Sequence, residues 1–151
     1  MITDQLETIS EAQGSALLVD NDAFINVGGF PEHYFMYGEE GTFAKKILWS
    51  GGVILWMKDV ENFVYHHHDK SGRIDAWRLY LMGRNRAIEY YENKRSFSWT
   101  IAYQLSIMSQ KMKHNDIFVQ GALHGRTMVV ENRSKEAIYI DGKDTIERIG
   151  V

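Results

Sequence analysis

The sequence predicts an α/β domain, and three observations carry that expectation. Short apolar runs rich in β-branched and aromatic residues, 14–19 (GSALLV), 52–57 (GVILWM) and 63–68 (FVYHHH), have the length and composition of strands. In 39–48 and 75–93 apolar residues instead recur at three and four, the period of an amphipathic helix. With 151 residues, 44% of them hydrophobic and 13% aromatic, the chain is long enough for one domain with a core. A single proline and the absence of low-complexity stretches leave no linker to divide it.

Composition removes several classes of function. A net charge of -3 provides no general basic surface, so nucleic acid is not expected as the main partner. The absence of cysteine excludes disulfides, thiolate zinc sites and a cysteine nucleophile together, and fits a reducing cytoplasm. No basic-then-apolar leader and no apolar run of about 18 residues occurs, so the chain reads as soluble or membrane-peripheral.

In order along the chain, residues 1–13 are polar with Leu6 and Ile9 three apart, and read as a short helix or a mobile arm. Residues 14–19 follow as a buried strand. Asp20 or Asp22, ahead of Ala23, Phe24, Ile25 and Val27, reads as the cap of a one-turn helix, its carboxylate accepting the orphan N–H bonds. The stretch 28–52 is the organising one, an aromatic-lined turn delivering Glu39 and Glu40 to the start of a helix that a glycine pair, Gly51 and Gly52, ends. On that helix Phe43, Ala44, Ile47 and Leu48 face inward and Lys45 and Lys46 outward. Acids in a first turn gain roughly 0.3–1 kcal/mol from the helix dipole, which alone accounts for both glutamates; a role in chemistry is the competing account.

After the 52–57 strand, residues 58–62 turn the chain into 63–68. Successive side chains of a strand alternate faces, so His66 and His68, or else His67 alone, face a given side. Trp77, Leu81, Arg84, Ile88 and Tyr91 then mark a long helix that Asp75 helps to begin. Arg84 either presents its planar fork of donors to a phosphate, or pairs with a carboxylate of the organising helix; the structural role is preferred. Residues 97–112 read as a partly amphipathic helix, suited either to ordinary packing and dimer contacts or, through Lys111, Lys113 and His114, to an anionic membrane surface. In 116–130 the spacing of Gly121 and Gly125 permits close helix packing, and 137–149, alternating around Asp141 and Gly142, gives a hairpin signal. The expected organisation is therefore an arm at 1–13, a main region at 14–130 and a hairpin-like tail at 131–151.

The segment GGFPEHYFMYGEE, Gly28 through Glu40, resembles the signature of family 2 glycosyltransferases, and of the rhamnosyltransferase-like group in particular, whose usual form is GGFDE-x-FF-x-Y-x-ED-x-D-x-x-x-R. The glycines, the aromatics and the first acid are kept. Pro31 stands in place of an Asp, Glu40 of the Asp of ED, Thr42 of the second Asp and Lys46 of the Arg, so a carboxylate survives at 40 with one more methylene while an ion pair between 42 and 46 is lost. His66 and Ser71 are similar to the His and Ser that close the following strand in that family, and Tyr80, Arg84 and Asn85 to the tyrosine and arginine–asparagine pair after them. The Asp20-Asn21-Asp22 triplet imitates the DxD of nucleotide-sugar enzymes, yet falls in the variable step before GGF, where the capping role is the better reading.

The resemblance covers about residues 14–125 and implies the C-terminal, acceptor-side half of a GT-A type nucleotide-sugar transferase fold, a short mixed sheet with flanking helices and a C-terminal helical extension. It implies an inverting displacement with Glu40 as catalytic base, Glu39, Tyr37, Trp56 and Arg84 on the acceptor side, and His66 beside a divalent metal, Mn²⁺ or Mg²⁺. Tyr37 and Trp56 are equally suited to burial in the core, and His66 to a solvated strand end. Implied partners are a nucleotide-sugar donor and a saccharide or lipid-linked acceptor. A half of this kind is expected to need the donor-binding half, in a partner chain or a longer protein, before it transfers sugar. The rival expectation is a non-catalytic binding or oligomerisation module, for instance a homodimer. A metal-dependent hydrolase built on His66, His68 and Asp69 is the weakest candidate, because the spaced second ligand group is absent.

Overall fold

The computed structural model describes residues 6–12, 14, 16–58, 75–92 and 116–149. Within them the chain is mixed α/β and mostly helical, in the order β1 (Leu6–Ile9), α1 (Asn21–Asn26), a 3₁₀ turn (Glu32–Tyr34), α2 (Glu39–Trp49), β2 (Ile54–Met57), α3 (Ala76–Glu92), α4 (Asp116–Val130) and α5 (Lys135–Ile149). It divides into two compact units, Met1–Pro31 with Glu39–Gly72, and Glu32–Gly38 with Arg73–Val151. The expected strand 63–68, with His66 and Ser71, and the expected helix 97–112 lie outside the described residues.

In the first unit β1 and β2 pair antiparallel, Leu6 opposite Met57 and Ile9 opposite Ile54, and Lys58 closes the ribbon on Glu7 at 2.6 Å. The helix or arm expected at 1–13 is thus corrected to a strand over Leu6–Ile9. A three-residue spacing places Leu6 and Ile9 on one face of a helix but on opposite faces of a strand, so the pattern points to the helix and the pairing with β2 overrides it. The strand expected at 14–19 is corrected as well. Its described residues are irregular and outward, with Leu18 fully exposed, because no neighbouring strand among the described residues supplies a ladder for their N–H and C=O groups.

Capping makes the next element. Asp20 is extended at φ -65, ψ 128 and its Oδ1 accepts from the Ala23 N–H at 2.9 Å, which starts α1 as expected. Gly28 and Gly29, at φ 74 and 65, turn the chain out of α1, and the Phe24, Phe30 and Phe43 rings gather with centroids 4.7–5.6 Å apart. Phe43 thereby fixes the inner face of α2, on which Thr42, Ala44 and Ile47 are also buried. The helix stops where expected. Gly51 adopts φ 87, and the Gly52 N–H reaches back to the Ile47 carbonyl at 2.9 Å, a glycine C-cap that satisfies carbonyls of the last turn.

The second unit is built on α3 and α4, which approach closely enough that side chains are excluded at their crossing. A β-carbon at Gly83 would overlap the Phe118 carbonyl, one at Gly121 the Tyr80 carbonyl and one at Gly125 the Arg84 carbonyl. The Gly121 and Gly125 spacing therefore serves backbone contact, as expected. Around this pair Tyr34, Ile88, Met128 and Ile138 form one buried cluster and Ala87 with Ala122 another.

The hairpin expected at 137–149 is corrected to the helix α5. Ser134 caps it, accepting the Ala137 N–H at 3.1 Å, and the buried residues Ile138, Gly142 and Thr145 recur at four and three. Gly142 serves packing rather than a turn, since a β-carbon there would press on the Arg84 guanidinium and the Phe35 side chain.

Gly121→Ala is expected to lower the unfolding free energy by roughly 1–3 kcal/mol through forced separation of α3 and α4. Urea unfolding followed by helical circular dichroism checks this, and Gly41→Ala, where a β-carbon meets nothing within 4 Å, serves as the control.

Candidate functional site

Two clusters of polar side chains stand out, one in each unit. In the first, Glu39 and Glu40 open α2, where the dipole of an eleven-residue helix favours negative charge. Each carboxylate nevertheless has an oxygen, Oε2, that is shut from solvent and meets no hydrogen-bond partner. Burial raises the Glu39 carboxyl above the usual carboxylate range; its own backbone N–H pulls it down, and the neighbouring charge of Glu40 raises it again. Gly14 closes over Glu40, and a β-carbon there would come within 3.3 Å of Oε1.

Thr42, one turn along, has the same character. Its hydroxyl is buried without a partner, whereas Thr127 and Thr145 each donate to the carbonyl four residues back, at 3.1 and 2.8 Å. Three unanswered polar atoms within four residues are a cost the helix does not explain. Trp56, on β2 opposite Glu7, leaves more than half of its surface exposed, which gives an aromatic face without a covering layer.

In the second unit the aromatic turn is held by α3. Phe35 and Tyr37 both sit at positive φ, 65 and 71, which non-glycine residues adopt only when the surroundings impose it. Here the imposing group is Asn85, whose Nδ2 lies 3.2, 2.6 and 2.8 Å from the carbonyls of Tyr34, Met36 and Tyr37. The Tyr37 ring leans on Trp77 with centroids 6.0 Å apart. Glu92 takes the Tyr34 hydroxyl at 3.4 Å and lies 3.2 Å from His33 Nε2.

Arg84 is fully buried, and four hydrogen bonds tie its guanidinium to the protein. Nη1 donates to Asp141 at 2.8 Å and to the Ile138 carbonyl, Nη2 to the Tyr34 carbonyl at 2.9 Å, and Nε to Asn85. Burial loosens its proton, and the hydrogen bond and charge of Asp141 oppose that. The carboxylate partner expected on the organising helix is thus corrected to Asp141 of α5. Asn85 is an anchor that its own segment does not announce beyond the arginine–asparagine dipeptide within an apolar helical stretch, and Asp141, a hairpin residue by its sequence neighbours, is the carboxylate that meets Arg84.

His66, with His67, His68 and Asp69, lies outside the described residues, and among the described residues no three His, Asp or Glu side chains gather as a metal would require. No described helix is long and apolar enough to cross a membrane.

Two curated proteins match the chain, the N-acetylglucosaminyl-diphospho-decaprenol L-rhamnosyltransferases of Mycobacterium tuberculosis strains CDC 1551 / Oshkosh and ATCC 25618 / H37Rv. Each is 28% identical over 111 residues, which cover 69% of this chain and 35% of the relative. The chain therefore spans about a third of the length of these relatives. No family model matches, and no solved structure matches. The similarity supports a glycosyltransferase-like relationship.

Two outcomes follow from the buried polar atoms of α2. Thr42→Val is expected to raise the unfolding free energy by about 1 kcal/mol, since the hydroxyl it removes is buried and unpaired. Glu39, whose carboxyl is raised in the folded state, favours folding fully below the unfolded value of 4.5, and that contribution is lost as pH rises through the folded value. Glu39→Gln is accordingly expected to raise the melting temperature at neutral pH and to leave it little changed in acid, as a calorimetric pH series would read.

Proposed function

We propose that the chain contributes the acceptor site and the catalytic base of an inverting, family 2-like glycosyltransferase of GT-A architecture. The observation that carries the reading is the carboxylate pair at the start of α2, with oxygens that the protein leaves unanswered. Its support is the GGF…EE segment and the similarity to a rhamnosyltransferase. The matched stretch covers about a third of the relatives, and the reading assigns nucleotide-sugar binding to the part of them that this chain does not match.

Chemistry divides the pair. Glu39, whose carboxyl burial raises above the usual range, holds the acceptor or its neighbour in place. Glu40 is the base. Its carboxylate takes the proton of an acceptor hydroxyl as that oxygen attacks the anomeric carbon from the face opposite the nucleoside diphosphate, which leaves with the bonding electron pair, so the configuration inverts. Trp56 offers a stacking face for a sugar ring. Tyr37 and Arg84 are assigned to the acceptor by the resemblance alone, and in their own unit Arg84 and Asn85 act through the backbone of the turn that carries Tyr37. By the name of the relatives, the acceptor class is a lipid-linked saccharide, which would bring a membrane surface close.

A divalent cation, Mn²⁺ or Mg²⁺, belongs to this reading through His66. The described residues hold no cluster of ligands for it, so no step is drawn through the metal. A binding or oligomerisation module is the second reading, favoured by the exposed apolar row Val53, Leu55, Trp56 and Met57.

Glu40→Gln, placed in an assembly that carries the donor-binding part, is expected to cut glycosyl transfer by about 10²–10⁴-fold, with unchanged circular dichroism. Transfer at the unaltered rate would overturn the assignment. No response of the melting temperature to Mn²⁺ with a nucleoside diphosphate, together with dimeric behaviour in solution, would favour the module.

A further inference from the structure

A second set of titratable groups lies where α3, α4 and α5 meet, apart from the acid pair of α2. The Tyr80 phenol of α3 is hydrogen-bonded to His124 Nδ1 of α4. The same nitrogen lies 3.9 Å from Asp141 Oδ2 of α5, the oxygen that accepts from Arg84 at 2.8 Å. The other Asp141 oxygen accepts from Arg148 at 3.0 Å. Arg84 in turn reaches the Tyr34 carbonyl, beside which Asn85 gathers the carbonyls of Tyr34, Met36 and Tyr37. A continuous set of contacts therefore runs from His124 through Asp141 and Arg84 to the aromatic turn.

We propose that His124 is a proton-operated latch on that turn, its protonation drawing Asp141 away from Arg84 and so loosening the grip of Arg84 on the Tyr34 carbonyl. The phenol of Tyr80 is the donor in the neutral state, because burial and the charge of Asp141 hold its proton in place. Nδ1 then accepts, and the imidazole proton sits on Nε2. On protonation Nδ1 acquires a hydrogen, the phenol loses its acceptor, and Asp141 faces a third cation beside Arg84 and Arg148.

The groups that face His124 set the direction of the response. Burial disfavours the imidazolium most, Asp141 favours it, and Arg84, Arg148 and Arg133 disfavour it, so the net effect lowers the proton affinity of His124 below the usual histidine value. Because the folded value is depressed, the stability that His124 contributes is present above the unfolded value of 6.5 and is lost as pH falls through the folded one.

The test follows the His124 ring nitrogens and the Asn85 side-chain amide by ¹⁵N nuclear magnetic resonance, in the whole chain, from about pH 8 to about pH 5. Co-titration of both signals with a midpoint below 6.5 is expected in the unaltered protein. His124→Gln, which keeps an acceptor for Tyr80, is expected to abolish the movement of the Asn85 amide, whereas His33→Gln is expected to retain it. An Asn85 amide that stays fixed while His124 titrates overturns the proposal, as does a movement that survives in His124→Gln or disappears in His33→Gln.

Discussion

The second unit depends on a cation buried without solvent. Arg84 carries its charge into the helical core, where an uncompensated ion costs several kcal/mol. Asp141 and the Ile138 carbonyl of α5, the Tyr34 carbonyl of the aromatic turn, and the neighbouring Asn85 side chain of α3 offset that cost. Close packing requires the same arrangement. Gly125 of α4 lies against the Arg84 backbone and Gly142 of α5 against its guanidinium, so the helices draw in around this one side chain. The left-handed backbone of Phe35 and Tyr37 is a consequence, held by the neighbour of Arg84 on the same helix.

The first unit solves a different problem in the opposite way. At the start of α2 polar atoms are buried and left without partners, next to the favourable end of the helix dipole. Among the described residues the threonines of α4 and α5 are satisfied but Thr42 is not, and with an oxygen of both Glu39 and Glu40 unmet the buried, unpaired side-chain atoms fall in one turn of one helix. Departures from internal consistency of this kind gather where function competes with stability. The same turn carries the segment that resembles a glycosyltransferase signature, and the two observations are independent.

Legibility followed the range of the interactions. The Asp20 cap, the limits of α2, the start of α3 after Asp75 and the four-residue spacing of Gly121 and Gly125 all rest on groups a few residues apart, and the sequence displayed them. The strand at Leu6–Ile9 needed a partner nearly fifty residues away, and the apolar run 14–19 lacked one among the described residues. Asp141-Gly142 looks like a turn from within its own segment and becomes helical because Gly142 makes room for an arginine fifty-eight positions earlier. For the candidate site, the residue types of Glu39, Glu40 and Trp56 were visible. Their burial and exposure were not.

By itself the sequence determined an α/β chain, the cap and stop signals of its best-defined elements, and the acidic turn that carries a transferase-like signature. Helical period, capping and glycine termination act between neighbours, so the order of residues contains them. Only the tertiary structure decided which apolar runs became strands, which carboxylate neutralises Arg84, and which polar atoms of α2 remain unanswered. Those outcomes depend on desolvation, and desolvation is set by what packs on top of a residue rather than by what stands beside it in the chain.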